Sequence, residues 1–148
     1  MIEIEKSKTG LPIMKIEGRL VNSSYDPMTE AQNWLAGVSA RIRDYDVIFL
    51  LGIGSIYHCL ALQNSFPNKK IVVLETDPQL IKTSLELLSD LKKIQICQIA
   101  DAKDLLIIPE VMSLTEEIFC TLRLPSTRFS NKALFDDLET ILTGRSTY

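Results

Sequence analysis

The run Val47-Ile48-Phe49-Leu50-Leu51, followed at once by Gly52-Ile53-Gly54, constrains this chain more than any other stretch. Five consecutive apolar residues are too few for a helix but suit a strand buried on both faces. The two glycines, one residue apart, lead straight into a new amphipathic segment that starts at Tyr57. A glycine turn between a parallel strand and a helix lets backbone N–H groups approach a ligand, and the helix dipole favours anionic or strongly polar groups there. A second strand, Ile71-Val72-Val73-Leu74, ends in Glu75, 23 residues beyond Gly52. In dinucleotide-type folds an acid at about that spacing accepts the two hydroxyls of a ribose. Together these features point to an adenosine-like ligand and specify no reaction.

The totals set bounds. At 148 residues and 46% apolar content the chain fits one domain with an ordinary core. The net charge of −3 is spread over mixed acids and bases, without the basic tract or stripe that nucleic acid requires. The start, Met1 to Lys6, alternates charged and apolar residues and has no signal-peptide core. No apolar run approaches the ~20 residues of a membrane helix. Cys59, Cys97 and Cys120 lie far apart with no C-x-x-C pair, which suggests buried, reduced thiols in a cytoplasmic protein and no metal site.

Along the chain, residues 1–22 read as a hairpin around Ser7-Lys8-Thr9-Gly10, with Pro12 keeping its stretch near an edge. Asp26-Pro27, an N-cap followed by a proline at the first helical position, opens a leading helix within 23–44. Met28, Ala31, Leu35, Val38 and Ile42 form its inward stripe, with Trp34 beside them as a packing residue. The α/β core spans 45–142. Its strands are expected at Val47–Leu51, Ile71–Leu74, Ile94–Ile99 and Ile118–Leu124. Its helices are expected at Tyr57–Phe66, from Asp77-Pro78 to Lys92, from Glu110 to near Glu117, and at Asn131–Leu142. Residues 143–148 read as a loose tail. Strand and helix alternating at this spacing imply parallel pairing through right-handed crossovers, in the spatial order 3-2-1-4. That order puts the glycine turn at the crevice where ligands of open α/β sheets bind.

The candidate ligand-binding residues are therefore Gly52, Gly54, Ser55, Tyr57, Glu75 and Asp101. Gly52 and Gly54 match the first two glycines of a G-x-G-x-x-G turn, but Tyr57 stands where the third belongs. In the G-x-G-x-G form the last position is Ile56, whose branched side chain would narrow the approach to the backbone. Tyr57 either lies over a nucleoside or fills the rim of the sheet. Asp101, just past the third strand, either accepts from an adenine amine or is an ordinary loop acid. Asp77 is most simply a helix cap. His58, the only histidine, falls in the first turn of a helix with no evident Ser, Cys or acid partner and reads as a packing or hydrogen-bonding residue rather than a general base. Arg123 and Arg128 are placed where either could meet a phosphate.

Ser7-Lys8-Thr9-Gly10, then Ser24-Tyr25-Asp26-Pro27-Met28-Thr29-Glu30-Ala31, then Gly52-Ile53-Gly54-Ser55-Ile56-Tyr57-His58 resembles the amino-terminal part of the motility-associated factor glycosyltransferases, which modify bacterial flagellin with sialic-acid-like sugars. Leu124-Pro125-Ser126-Thr127-Arg128 before a helix resembles the close of that domain. In that family the transfer site lies in a larger second domain, for which 148 residues leave no room. Through Gly52, Gly54, Leu74 to Pro78 and Asp101 the core is also similar to class I methyltransferases and the related aminopropyl transferases. That resemblance implies that Glu75 holds the ribose, and Asp101 the adenine, of S-adenosylmethionine. Such enzymes carry an Asn or Asp with prolines and an aromatic after the fourth strand, where this chain has Leu124-Pro125-Ser126-Thr127.

The sequence thus leads to these expectations. The fold is α/β, a Rossmann-like (class I methyltransferase-like) three-layer sandwich with a parallel sheet core and an N-terminal β-hairpin. The function is that of a binding or docking module for S-adenosylmethionine or a nucleotide, working as a homodimer or with a separate catalytic protein. The alternatives are a minimal methyltransferase, acting mainly by positioning substrate against the activated methyl group, and a structural remnant without a ligand.

Overall fold

Residues Val47–Leu51 do form a strand with all five side chains buried. They lie at the interior of a sheet in the computed structural model, which describes residues 2–20, 24–53, 56–87, 94–112, 119–124, 127 and 131–146. In chain order the elements are β1 (Ile2–Lys6), β2 (Pro12–Ile16), β3 (Arg19–Leu20), α1 (Pro27–Ile42), β4 (Val47–Leu51) and α2 (Ile56–Ser65). They continue with β5 (Lys70–Glu75), α3 (Pro78–Leu87), β6 (Ile94–Gln98), a 3-10 helix (Ala102–Ile107), α4 (Pro109–Met112), β7 (Phe119–Arg123) and α5 (Lys132–Ser146).

The main sheet has four parallel strands in the order β6-β5-β4-β7, the expected 3-2-1-4 arrangement. Alternation along each strand divides the core in two. Ile48, Leu50, Ile71, Val73, Cys120 and Leu122 face one side with α1, α2 and Leu80 of α3. Val47, Phe49, Leu51, Val72, Leu74 and Phe119 face the other, with Leu105 of the 3-10 helix, Val111 of α4, and Phe135, Leu138 and Leu142 of α5. Helices on both faces make the three layers of a Rossmann-like α/β fold.

Local chemistry explains where the elements start and stop. Asp26 caps α1, Oδ1 accepting from Met28 N at 3.1 Å and Thr29 N at 3.2 Å while Oδ2 accepts from Thr29 Oγ1 at 2.7 Å. At the other end Lys69 Nζ donates to the carbonyls of Arg43 and Tyr45 at 2.8 and 2.6 Å, placing a cation where helix carbonyls run out of partners. Asp77 Oδ1 accepts from Gln79 N and Leu80 N, so it is the cap of α3 that the sequence suggests.

Two boundaries differ from the sequence reading, and one open stretch is resolved. The second arm of the hairpin does not run unbroken to Leu20: Glu17 and Gly18, both at positive φ (49° and 78°), turn the chain between β2 and β3 and make a three-stranded sheet. The stretch before Pro109, which residue pattern leaves ambiguous between Leu105 and Ile108, folds as a 3-10 helix over Ala102–Ile107, opened by a capping box of Asp101 and Asp104. The tail is helical as far as Ser146, since Leu138 and Leu142 keep α5 seated on the sheet. The expected ends of the third and fourth helices, near Lys92 and Glu117, and Val21 lie outside the described residues.

Candidate functional site

The turn that leaves β4 is built as the glycine spacing requires. Gly52 has φ +91°, a conformation that costs a residue with a Cβ about 1–3 kcal/mol. Its N–H donates to Leu74 O at 2.9 Å, which continues the β4–β5 ladder one step and holds the turn beside the end of β5. Glu75 follows Leu74 there. By strand alternation its side chain lies on the α2 side of the sheet with Val73.

The Glu75 carboxylate joins the two turns. Oε1 accepts from Ile53 N at 2.9 Å, and Oε2 accepts from Thr76 N at 2.7 Å and Asp77 N at 3.0 Å. Three backbone N–H groups thus occupy three of its four or so lone-pair positions. The side chain is 3% exposed. Burial pushes its pKa up, the three N–H donors pull it back, and burial is the larger effect. The same charge acts on Cys59, in the first turn of α2. Burial, with Glu75 adding to it, pushes that thiol up to about 12, so it stays protonated and is no nucleophile at neutral pH.

The other candidates fall in different places. Gly54 and Ser55 lie outside the described residues. Tyr57 is 2% exposed and fills the rim: its hydroxyl donates to Pro12 O at 2.6 Å, strapping the hairpin to the start of α2. Ile56 is buried, packed into the core with α1 and α2. Asp101, at the carboxyl end of β6, is exposed and spends Oδ1 on Lys103 N at 2.9 Å as the cap of the 3-10 helix. His58 is buried with its ring edge-on to Trp34 at 4.8 Å, in keeping with the packing role read for both. Arg123 donates to Thr127 Oγ1 at 2.7 Å and Asp136 Oδ1 at 2.6 Å, with Glu139 at 3.4 Å, so its charge is met by acids of α5. Arg128 lies outside the described residues. The three cysteines are free thiols; Cys59 and Cys120 are buried and Cys97 is half-buried. Among the described residues no helix is long and apolar enough to cross a membrane.

The site therefore assembles Gly52, Ile53, Glu75, Thr76 and Asp77 at the carboxyl ends of β4 and β5. Asp101 stands past the next strand and Tyr57 is turned toward the hairpin. Sequence reasoning missed the role of Ile53, Thr76 and Asp77 as backbone donors, because a main-chain N–H leaves no mark on residue type. It also missed that two of the motifs it singled out meet each other. Lys8 N donates to Ser24 O at 2.9 Å and Thr9 N to Tyr25 O at 3.1 Å, so the Ser7–Gly10 turn braces the lead-in to α1. Chemically, the assembly presents a buried, preorganised carboxylate beside a positive-φ turn: an acceptor and a positioning device, with no activated nucleophile among the described residues. No protein-family model matches the sequence, and a search of curated proteins finds no match.

Proposed function

We propose that the carboxyl ends of β4 and β5 form a crevice for a nucleoside-type ligand, S-adenosylmethionine or a nucleotide, in a module that binds or docks without a complete catalytic site among the described residues. The observation that carries this is the Glu75 carboxylate, held 2.9 Å from Ile53 N of the glycine turn. The acid that would meet a ribose and the turn that would approach the rest of the ligand are thus neighbours across the two strand ends. A ribose diol would take the remaining lone-pair position and compete with Ile53 N–H for the next. The methyltransferase resemblance points to the same crevice. A catalytic half would then lie outside these 148 residues.

Titration calorimetry with S-adenosylmethionine, its demethylated product and nucleoside diphosphates tests this. At least one is expected to bind with a dissociation constant below about 1 mM, and Glu75→Ala to weaken it at least about tenfold. No heat and no thermal shift with any of them overturns the proposal.

A second reading is favoured by the three N–H groups already on the carboxylate: Glu75 fastens two turns and binds no ligand. Under it the panel gives no heat, while Glu75→Ala still lowers the melting temperature.

A further inference from the structure

We propose that the free edge of β1 is a docking strand for an extended segment of another protein that alternates basic and apolar residues. This is independent of the crevice. Among the described residues β1 is the outermost strand of the hairpin sheet, Glu3 to Lys6 are exposed, and Ile4 is 47% exposed.

The phase of its backbone follows from one bond. Ser7 N donates to Leu11 O at 2.8 Å, one step beyond the Lys6↔Pro12 pair. Bonded and non-bonded pairs alternate in an antiparallel ladder. Glu3 and Glu5 therefore spend their backbone groups on β2, and Ile2, Ile4 and Lys6 turn theirs outward. Pro12 agrees with this phase. It has no N–H to give and sits opposite Lys6 at a non-bonded pair, with its carbonyl turned to the Tyr57 hydroxyl.

An edge of this kind accepts another strand unless proline, a bulge or charge prevents it. β1 has neither proline nor bulge, so charge decides the occupant. Glu3 and Glu5 share one face, joined across the pair by Lys15, whose Nζ is 3.0 Å from Glu5 Oε1. A second copy of β1 is a poor partner. Every antiparallel self-pairing centred on Glu3, Ile4 or Glu5 sets glutamate opposite glutamate, which is destabilising. A strand with basic residues opposite Glu3 and Glu5, and an apolar one opposite Ile4, meets both faces correctly. It would cover the exposed part of Ile4, whose neighbour across the pair, Met14, is already 1% exposed.

Fluorescence anisotropy with the full chain and a labelled peptide alternating lysine and valine tests this, against the same peptide carrying glutamate for lysine. The lysine peptide is expected to bind with a dissociation constant below about 1 mM, more weakly in high salt, and the glutamate peptide at least about tenfold more weakly. Ile4→Pro removes an outward N–H while sparing the β1–β2 ladder, and is expected to weaken binding at least about tenfold. Replacing both acids, Glu3→Lys with Glu5→Lys, should transfer the preference to the glutamate peptide. It serves as the second variant if the proline disturbs the hairpin. Equal affinity for the two peptides, unchanged binding in Ile4→Pro, or no binding of the lysine peptide at about 1 mM each overturns the proposal. So does a concentration-dependent dimer in sedimentation that Ile4→Pro dissolves, which would give the edge to a second copy.

Discussion

At the scale of the residue, Glu75 shows how a side chain at a strand end can belong to function and to structure at once. Its folded pKa lies above the ordinary 4.5, so between those values the folded protein holds a proton that the unfolded chain has released. Its contribution to stability is fullest below about pH 4.5 and falls as pH rises through the folded value. Asp26 and Asp136 behave oppositely. Hydrogen bonds hold their carboxyls below the ordinary 3.8, so what they add is present above that value and lost as pH falls. The windows separate. Urea midpoints measured from about pH 4.5 upward are expected to fall for the wild type and to be flatter for Glu75→Gln. Identical slopes would mean that the three N–H donors outweigh burial and keep the carboxylate ionised throughout.

At the scale of the element, the hairpin is a separate sheet made part of the domain by few but well-placed ties. Met14 enters the core, with Ile2, Leu11 and Ile16 packed against it. The Ser7–Gly10 turn bonds the residues before α1, and Tyr57 straps Pro12 to α2. Removing the last tie alone should loosen the hairpin without disturbing β4 or β5. Tyr57→Phe is expected to cost about 1 kcal/mol. Hydrogen exchange should quicken for the amides of β2 while those of the central strands stay protected. Equal loss of protection in both sheets would show that the strap supports the whole core rather than one element.

At the scale of the whole molecule, two apolar layers share one sheet, so neither can come apart alone. Phe49 is 0% exposed and meets Phe119 edge-on with ring centroids 5.0 Å apart. Phe49→Ala is expected to destabilise by about 3–5 kcal/mol. Trp34 lies on the opposite side of the sheet, against α2. Its fluorescence should nonetheless lose stability in step with the far-UV signal, in one urea transition. Two separated transitions would mean that the layers unfold independently.

Periodicity and cap chemistry were legible because they act within a few residues. The unbroken run of β4, the Asp26-Pro27 and Asp77-Pro78 helix starts, and the alternation that orders the parallel strands all appear in the structure as expected. The break at Glu17-Gly18, the capping box at Asp101 and the persistence of α5 to Ser146 were not seen. A turn can use a non-glycine residue at positive φ, and seating on a distant sheet decides how far a terminal helix holds.

The residues alone determined that this chain folds as a parallel α/β sheet with a glycine turn and an acid at the right interval, because burial on both faces and the reach of a crossover leave marks in residue order. Only the tertiary structure decided what that acid touches. The side chain of Glu75 is directed by strand alternation and filled by main-chain N–H groups of two turns, and neither its three partners nor the Tyr57 strap can be read from residue types. Those contacts depend on elements far apart in sequence arriving side by side.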